Sequence, residues 1–148
     1  MEEAGFTALY RAEHGQQVRR AFLLLGDDEA ANDVVHEAMT ALYRRWGQVA
    51  EPGAYLNRAV LNGCRDHGRR RTVADRAVHR LVPDPGDDPA SDTLADVLAT
   101  LPFHHRAAIV LRYYAGFTTD EIAAALECAP GSVGPWIDRG LTAMRKVL

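Results

Sequence analysis

The stretch GDDEAANDVVHEAMTALYRRW, Gly26–Trp46, decides the fold. Its apolar residues Ala31, Val34, Val35, Ala38, Leu42 and Trp46 return at steps of three and four, the period of a helix with one buried side. Gly26 is a stop for whatever precedes it, and Asp27 can cap the free N–H groups of a new first turn. Asp27, Asp28 and Glu29 also suit the positive end of the helix dipole. Asp33 and Glu37 lie one turn apart, opposite Val34, Val35 and Ala38. Spacing alone favours an ordinary solvated acidic face for these two, since charged outer faces are the rule.

Working outward, helical spacing continues on both sides. Upstream, Phe6, Leu9, Tyr10, Val18, Phe22 and Leu25 predict a first helix. Downstream, GQVAEPG breaks the pattern, and Pro52 sits where a first helical turn tolerates it. A third helix is expected from there to about Arg71, with Tyr55, Leu56, Ala59, Val60 and Cys64 facing inward. In NRAVLNGCRDHGRRR, Asn57–Arg71, the residues Asn62, Arg65, Asp66, Arg69 and Arg70 share a broad polar face. Arginine forks suit phosphate, and asparagine and arginine can read base edges or unstacked bases. A solvated basic helix end is the alternative reading. A helical tail is expected over Val73–Leu81.

Residues 82–91 are then expected to form a flexible acidic linker. Val82–Pro89 holds three prolines and a glycine, and Asp84, Asp87, Asp88 and Asp92 follow a basic block that runs from Arg58 to Arg80. The chain restarts at Ser91 or Asp92 with Leu94, Val97, Leu98 and Leu101. Pro102 opens PFHHRAAIVLRYYAG, and Gly116 closes it. Thr118 and Glu121 have capping-box spacing ahead of EIAAAL. The turn ECAPG leads to a last helix from about Ser132, whose inner stripe is Val133, Ile137, Leu141 and Met144 and which leaves Trp136 partly exposed. Short helix, turn and longer helix is helix-turn-helix spacing. The fold class is therefore all-α, with two small helical domains, 1–81 and 92–148, joined by the linker.

Composition narrows the function. With 148 residues, 47% hydrophobic and 25% charged, the chain can build ordinary globular cores. No apolar run reaches a membrane span, and the acidic amphipathic start is not a signal peptide, so a cytoplasmic protein is expected. Cys64 and Cys128 stand apart, without zinc spacing, and read as buried thiols. The adjacent pair His104-His105 reads as surface histidines. No nucleophile elbow or phosphate loop appears, so neither an enzyme nor a cofactor is expected. A net charge of −3 argues against indiscriminate DNA coating.

In this order and spacing, the segments resemble the extracytoplasmic-function sigma factors, over nearly everything from Phe6 to Leu148. GDDEAANDVVHEAM is similar to that family's polymerase-binding helix. PGAYLNRAVLNGCRDHGRRR is similar to its segment that melts and reads the promoter −10 element. LATLPFHHRAAIVLRYYAGFTTDEIAAALECAPGSV is similar to its −35-reading domain. The resemblance implies that core RNA polymerase and promoter DNA are partners, with an anti-sigma or other regulatory protein as a further one. It places Asp33, Val34 and Glu37 against polymerase and Asn62, Arg65, Asp66, Arg69 and Arg70 along −10 DNA. The loop Gly47–Gly53 would cradle a flipped base beside Trp46, and the linker would thread toward the active-centre cleft. Thr118, Ser132, Trp136 and Arg139 fall on the −35 or partner surface.

One departure stands out. Where members usually begin the last helix with something like Gly-Thr-Val-Lys-Ser-Arg, this chain has Gly131-Ser132-Val133-Gly134-Pro135-Trp136. Placed in the first turn, Pro135 would be tolerated, but long polar donors for base edges are missing. Five basic side chains, Arg106, Arg112, Arg139, Arg145 and Lys146, face six acids over Asp92–Leu148, a weak footprint for a DNA reader. An alternative reading is therefore a sigma-like adaptor with weakened −35 recognition, and Trp136 in that reading anchors a protein partner.

Overall fold

The computed structural model describes residues 2–70 and 93–147, and of residues 2, 69 and 70 the backbone alone. The expected helical tail 73–81 and the acidic linker 82–91 lie outside the described residues. The described residues form helices only. They are α1 (Glu2–Leu25), α2 (Asp28–Arg44), α3 (Pro52–Arg70), α4 (Thr93–Leu98), α5 (Phe103–Ile109), α6 (Thr119–Leu126) and α7 (Pro130–Val147), with a π-helical segment, Val110–Tyr114, continuing α5.

The first three helices pack as a bundle. Asp27 caps α2 as its position predicts, accepting from the N–H groups of Glu29 at 2.9 Å and Ala30 at 3.2 Å. The α2 stripe Ala31, Val34, Val35, Ala38 and Leu42 is buried, joined by Ala30 and Met39. Trp46 lies beyond the helix end and is half-buried. From α3 come Leu56, Val60, Leu61 and Cys64. Burial pushes the Cys64 thiol up to about 12. The helices approach closely at Gly63, where a Cβ would stand 2.8 Å from Val34 Cγ1.

The inner face of α1 differs from expectation. Gln17, Arg20, Ala21, Leu23 and Leu24 are buried, whereas Phe6, Leu9, Val18, Phe22 and Leu25 are only partly covered and Tyr10 is 38% exposed. Two polar residues on the buried face defeat an apolar-period reading. They are buried because α3 supplies a partner: Asn57 Oδ1 accepts from Gln17 Nε2 at 2.6 Å and from Arg20 Nη1 at 3.2 Å.

In the second half α4, α5, α6 and α7 enclose Ala95, Val97, Leu98, Leu101, Ala107–Leu111, Ile122, Leu126, Val133, Ile137 and Met144. Leu94, expected inward, is 47% exposed, and Ala95 takes the inner position. The PFHHRAAIVLRYYAG segment is not one regular helix. From Val110 it widens to i→i+5 bonding (Ala115 N donates to Val110 O, 3.1 Å), which leaves Tyr113 and Tyr114 exposed. Gly116, at φ +74°, ends it, and Phe117 N reaches back to Leu111 O at 2.9 Å.

The last helix begins at Pro130, two residues before the expected start, because proline is preorganised for a first helical position. Pro135 is therefore inside α7 and not in its first turn. Its missing N–H leaves Gly131 without the usual i+4 donor, on an exposed face where water can substitute. Gly140 lets α7 close on α5, since a Cβ there would meet Ile109 Cδ1 at 2.4 Å.

The halves share one continuous core. α1 touches α4, α5 and the π segment, and α3 touches α6. Two arginines cross the seam in opposite directions. Arg106 of α5 donates through Nη1 to the carbonyl of Leu24 and through Nη2 to Leu101 O at 2.7 Å. Arg20 of α1 lies over the Phe117 ring, 5.3 Å from its centroid.

The glycines give a direct check on this packing. Gly63→Val is expected to destabilise the chain by about 1–3 kcal/mol through overpacking against Val34. Gly15→Ala, with nothing within 4 Å of the added methyl, should stabilise it by roughly 0.5–1 kcal/mol through helix propensity. Urea unfolding of the two variants measures both. Equal effects would show that α2 and α3 do not meet at Gly63.

Candidate polymerase and promoter interface

The outer side of the first bundle gathers most of the expected site. Asp33 and Glu37 are exposed on α2, and no partner is recorded for either among the described residues. Val34 is 6% exposed and pressed against the Gly63 position, so it supports this face from below. Between α2 and α3 runs an open groove of ≈ 590 Å³, lined among others by Val34, Glu37, Arg44, Asn62, Gly63 and Asp66. Residues expected to face polymerase and residues expected to face DNA thus border one groove.

On α3, Arg65 Nη2 donates to Asn62 Oδ1 at 2.7 Å. The pair sits one turn apart, half-buried, with Asp66 exposed beside it. The asparagine carbonyl is engaged within the pair, and its amide N–H groups are the part suited to an incoming acceptor. Arg69 and Arg70 lie on the last turn of α3, where cations suit the helix dipole. Their side chains, like all of Arg71, are outside the description.

Trp46 is tied to α1. Its ring meets Phe6 edge-on at 5.6 Å, and a Cβ at Gly5 would stand 3.2 Å from it. Phe6 also meets Tyr43 at 5.0 Å. This aromatic cluster anchors the start of the Gly47–Gly53 loop, in which Gly47 adopts φ +92°.

In the second half Thr118 and Glu121 form the capping box. The Thr118 hydroxyl accepts from Glu121 N at 3.2 Å, and a Glu121 carboxylate oxygen accepts from Thr118 N at 3.0 Å. The backbone N–H of Thr118, then its side chain, hold the Glu121 carboxyl below its ordinary 4.5. Arg112 Nη2 donates to the Thr119 hydroxyl at 2.6 Å. Ser132 and Trp136 are half-buried and Arg139 is exposed. The Trp136 ring packs on His104, 4.9 Å between centroids. The histidines are thus not free surface groups: His104 supports Trp136, and His105 is held below its ordinary value by desolvation and by the Arg139 charge. The reason is the close approach of α7 to α5 at Gly140.

Sequence reading missed Gln17, Arg20, Asn57 and Arg106. Asn57 and Arg106 stood inside quoted segments, but none of the four belongs to an apolar period. Among the described residues no cluster of His, Cys, Asp and Glu is placed to hold a metal, and no helix is long and apolar enough to cross a membrane.

This geometry has close counterparts. A family model for sigma-70 region 2 matches residues 9–73, and one for sigma-70 region 4 matches 91–144. The ECF RNA polymerase sigma factor SigL of Mycobacterium tuberculosis is 33% identical, covering 99% of this chain and 90% of its own. The chain belongs to the ECF family of RNA polymerase sigma factors. Sigma factors direct RNA polymerase to promoters and are not enzymes as a class. The RNA polymerase sigma-E factor of Streptomyces coelicolor is 29% identical, over 97% of this sigma factor and 85% of its own chain. Among solved structures, CnrH in complex with the cytosolic domain of CnrY superposes with TM-score 0.71 at 25% identity, over 98% of this chain and 88% of its own. The sigma factor RpoE of Bartonella quintana, in complex with the anti-sigma factor NepR, shares the fold at TM-score 0.74 and 18% identity, over 96% and 95%. Nothing in these relatives favours the adaptor reading over that of a working sigma factor.

The capping box predicts a pH effect in this sigma factor. A carboxyl held low in the folded state stabilises fully above its unfolded value and less as pH falls through the folded one. Glu121→Gln should therefore lower the thermal midpoint at pH 6, and the gap to wild type should close below about pH 4.5. A gap unchanged from pH 6 to pH 3 would contradict the charged cap.

Proposed function

We propose that residues 1–81 dock on core polymerase and melt and read the −10 element, and that residues 92–148 address the −35 element. The observation that supports this reading is the α2–α3 groove, which has Val34 and Glu37 on its α2 wall and Asn62 and Asp66 on its α3 wall. Asp33 and Glu37, supported by Val34, contact polymerase. Asn62, Arg65 and Asp66 lie along unstacked −10 bases, Arg69 and Arg70 hold phosphates, and Trp46 steadies the Gly47–Gly53 loop on α1. Thr118, Ser132, Trp136 and Arg139 make up the −35 or partner surface. With Trp136 on His104 and no long donor at the start of α7, contact there falls to Arg139 and backbone amides.

The work is done by binding energy, so the chain is not a catalyst, and it acts in the cytoplasm beside polymerase. CnrH is held by a second protein, which supports an anti-sigma or similar regulatory partner for this chain as well.

Charge reversal tests the polymerase face. Asp33→Lys with Glu37→Lys should weaken core binding by about tenfold or more, while circular dichroism stays helical, since both side chains are exposed. Binding equal to wild type would remove Asp33 and Glu37 from the interface.

The DNA face separates by salt. Arg69→Ala with Arg70→Ala should weaken forked promoter DNA across sequences and flatten the log–log salt slope by about 0.7–0.9 per lost phosphate contact. Asn62→Ala should change base preference with little change in slope. Identical behaviour of the two sets would mean that base and phosphate roles are assigned to the wrong residues.

A further inference from the structure

The contact between Arg65 and Asn62 on α3 fixes more than a distance. Arg65 Nη2 donates to Asn62 Oδ1 at 2.7 Å. A guanidinium carries donors and no acceptor, so only the carbonyl end of the amide can face it. An asparagine standing alone can turn its amide over and offer either end to a ligand. Beside Arg65, the turned form would set N–H groups against N–H groups. The Asn62 amide is therefore held in one orientation.

The two residues stand differently toward the α2–α3 groove. Asn62 lines it, and Arg65 is not among its described lining residues. Both are half-buried. Asn62 Nδ2 has no hydrogen-bond partner among the described residues, so its two hydrogens are left for an acceptor from outside the chain.

A face that only donates sorts bases by their edges. The usual asparagine–adenine pair donates to N7 and accepts from N6. With Oδ1 held at Arg65, the accepting half of that pair is withdrawn. The amino groups of adenine and cytosine would meet Nδ2 donor to donor, whereas O4 of thymine and O6 of guanine would accept from it.

We propose that Arg65 is a positioning residue that locks the Asn62 amide with its donors free, so that one position of the −10 element is read as thymine or guanine in preference to adenine or cytosine. That role rests on the base contact assigned to Asn62. The full-length chain, bound to core polymerase, is titrated with forked promoter DNA in which each unpaired −10 position carries each base in turn. Wild type should favour thymine or guanine at one position by roughly tenfold, the size expected when a polar group is left facing one of its own kind. Arg65→Met keeps a long side chain and frees the amide, so that preference should largely disappear, chiefly because adenine binds more tightly. Arg65→Lys, again a donor without an acceptor, should retain it. Asn62→Asp still accepts from Arg65 but offers lone pairs in place of hydrogens, and it should turn the preference at the same position toward adenine or cytosine. Arg65→Lys and Asn62→Asp carry the test if Arg65→Met loses helicity. Preference lost in Asn62→Ala but unchanged in Arg65→Met and Asn62→Asp would overturn the lock and leave the base contact standing. Preference unchanged at every position in Asn62→Ala would overturn the base contact, and the lock with it.

Discussion

Every part of this fold leans on the inner face of α1. Gln17, Arg20, Ala21 and Leu24 point into the space where α2, α3 and the second half converge. A polar pair in that position is tolerated only because Asn57 answers both residues, leaving Gln17 with a short bond in place of water. Replacing Asn57 by an apolar residue would strand two buried donors at once. The same helix ends without a cation of its own and receives one from α5. The first bundle and the second half are therefore not two spheres touching by chance. Each supplies a group that the other lacks.

The outward surfaces follow from that inward arrangement. Once α2 buries Val34, Val35 and Ala38, helical geometry turns Asp33 and Glu37 outward. Gly63 then decides how deep the groove beside them is, because a larger residue would push α3 away from Val34. Asn62 and Asp66 lie on the same side of α3 as Gly63 and line the same groove. Close helix packing and the α2–α3 groove are thus one feature, set by a glycine whose missing side chain lets α3 approach Val34. In the second half Gly140 has the same part, bringing α7 onto α5 and seating Trp136 against His104.

Much of this was legible in the sequence. The stripe of α2, the Asp27 cap, the Gly26 and Gly116 stops, the Thr118–Glu121 box and the inner stripe of α7 are local signals, each set by a few neighbouring residues. What escaped depends on contacts distant in sequence. Arg20 and Gln17 look like surface residues until Asn57, some forty positions away, makes their burial affordable. Arg106 looks like a solvent-facing arginine of the PFHHRAAIVLRYYAG segment until Leu24 is beside it. The early start of α7 was hidden for another reason. Ser132 is a good cap by type, but Pro130 suits a first turn better, and that choice moved Pro135 into the helix body. Arg69 and Arg70 are the residues for which the sequence remains the main guide, through their place on the final turn of α3.

The central claim is that this chain directs core polymerase to discrete promoters through the α2–α3 groove and the second half together. Run-off transcription with purified core polymerase and sequencing of the transcript 5′ ends tests it most directly. The account predicts that adding the chain produces transcripts from discrete starts, each preceded by a shared pair of elements at constant spacing. Core polymerase that binds the chain yet starts no specific transcript would contradict it.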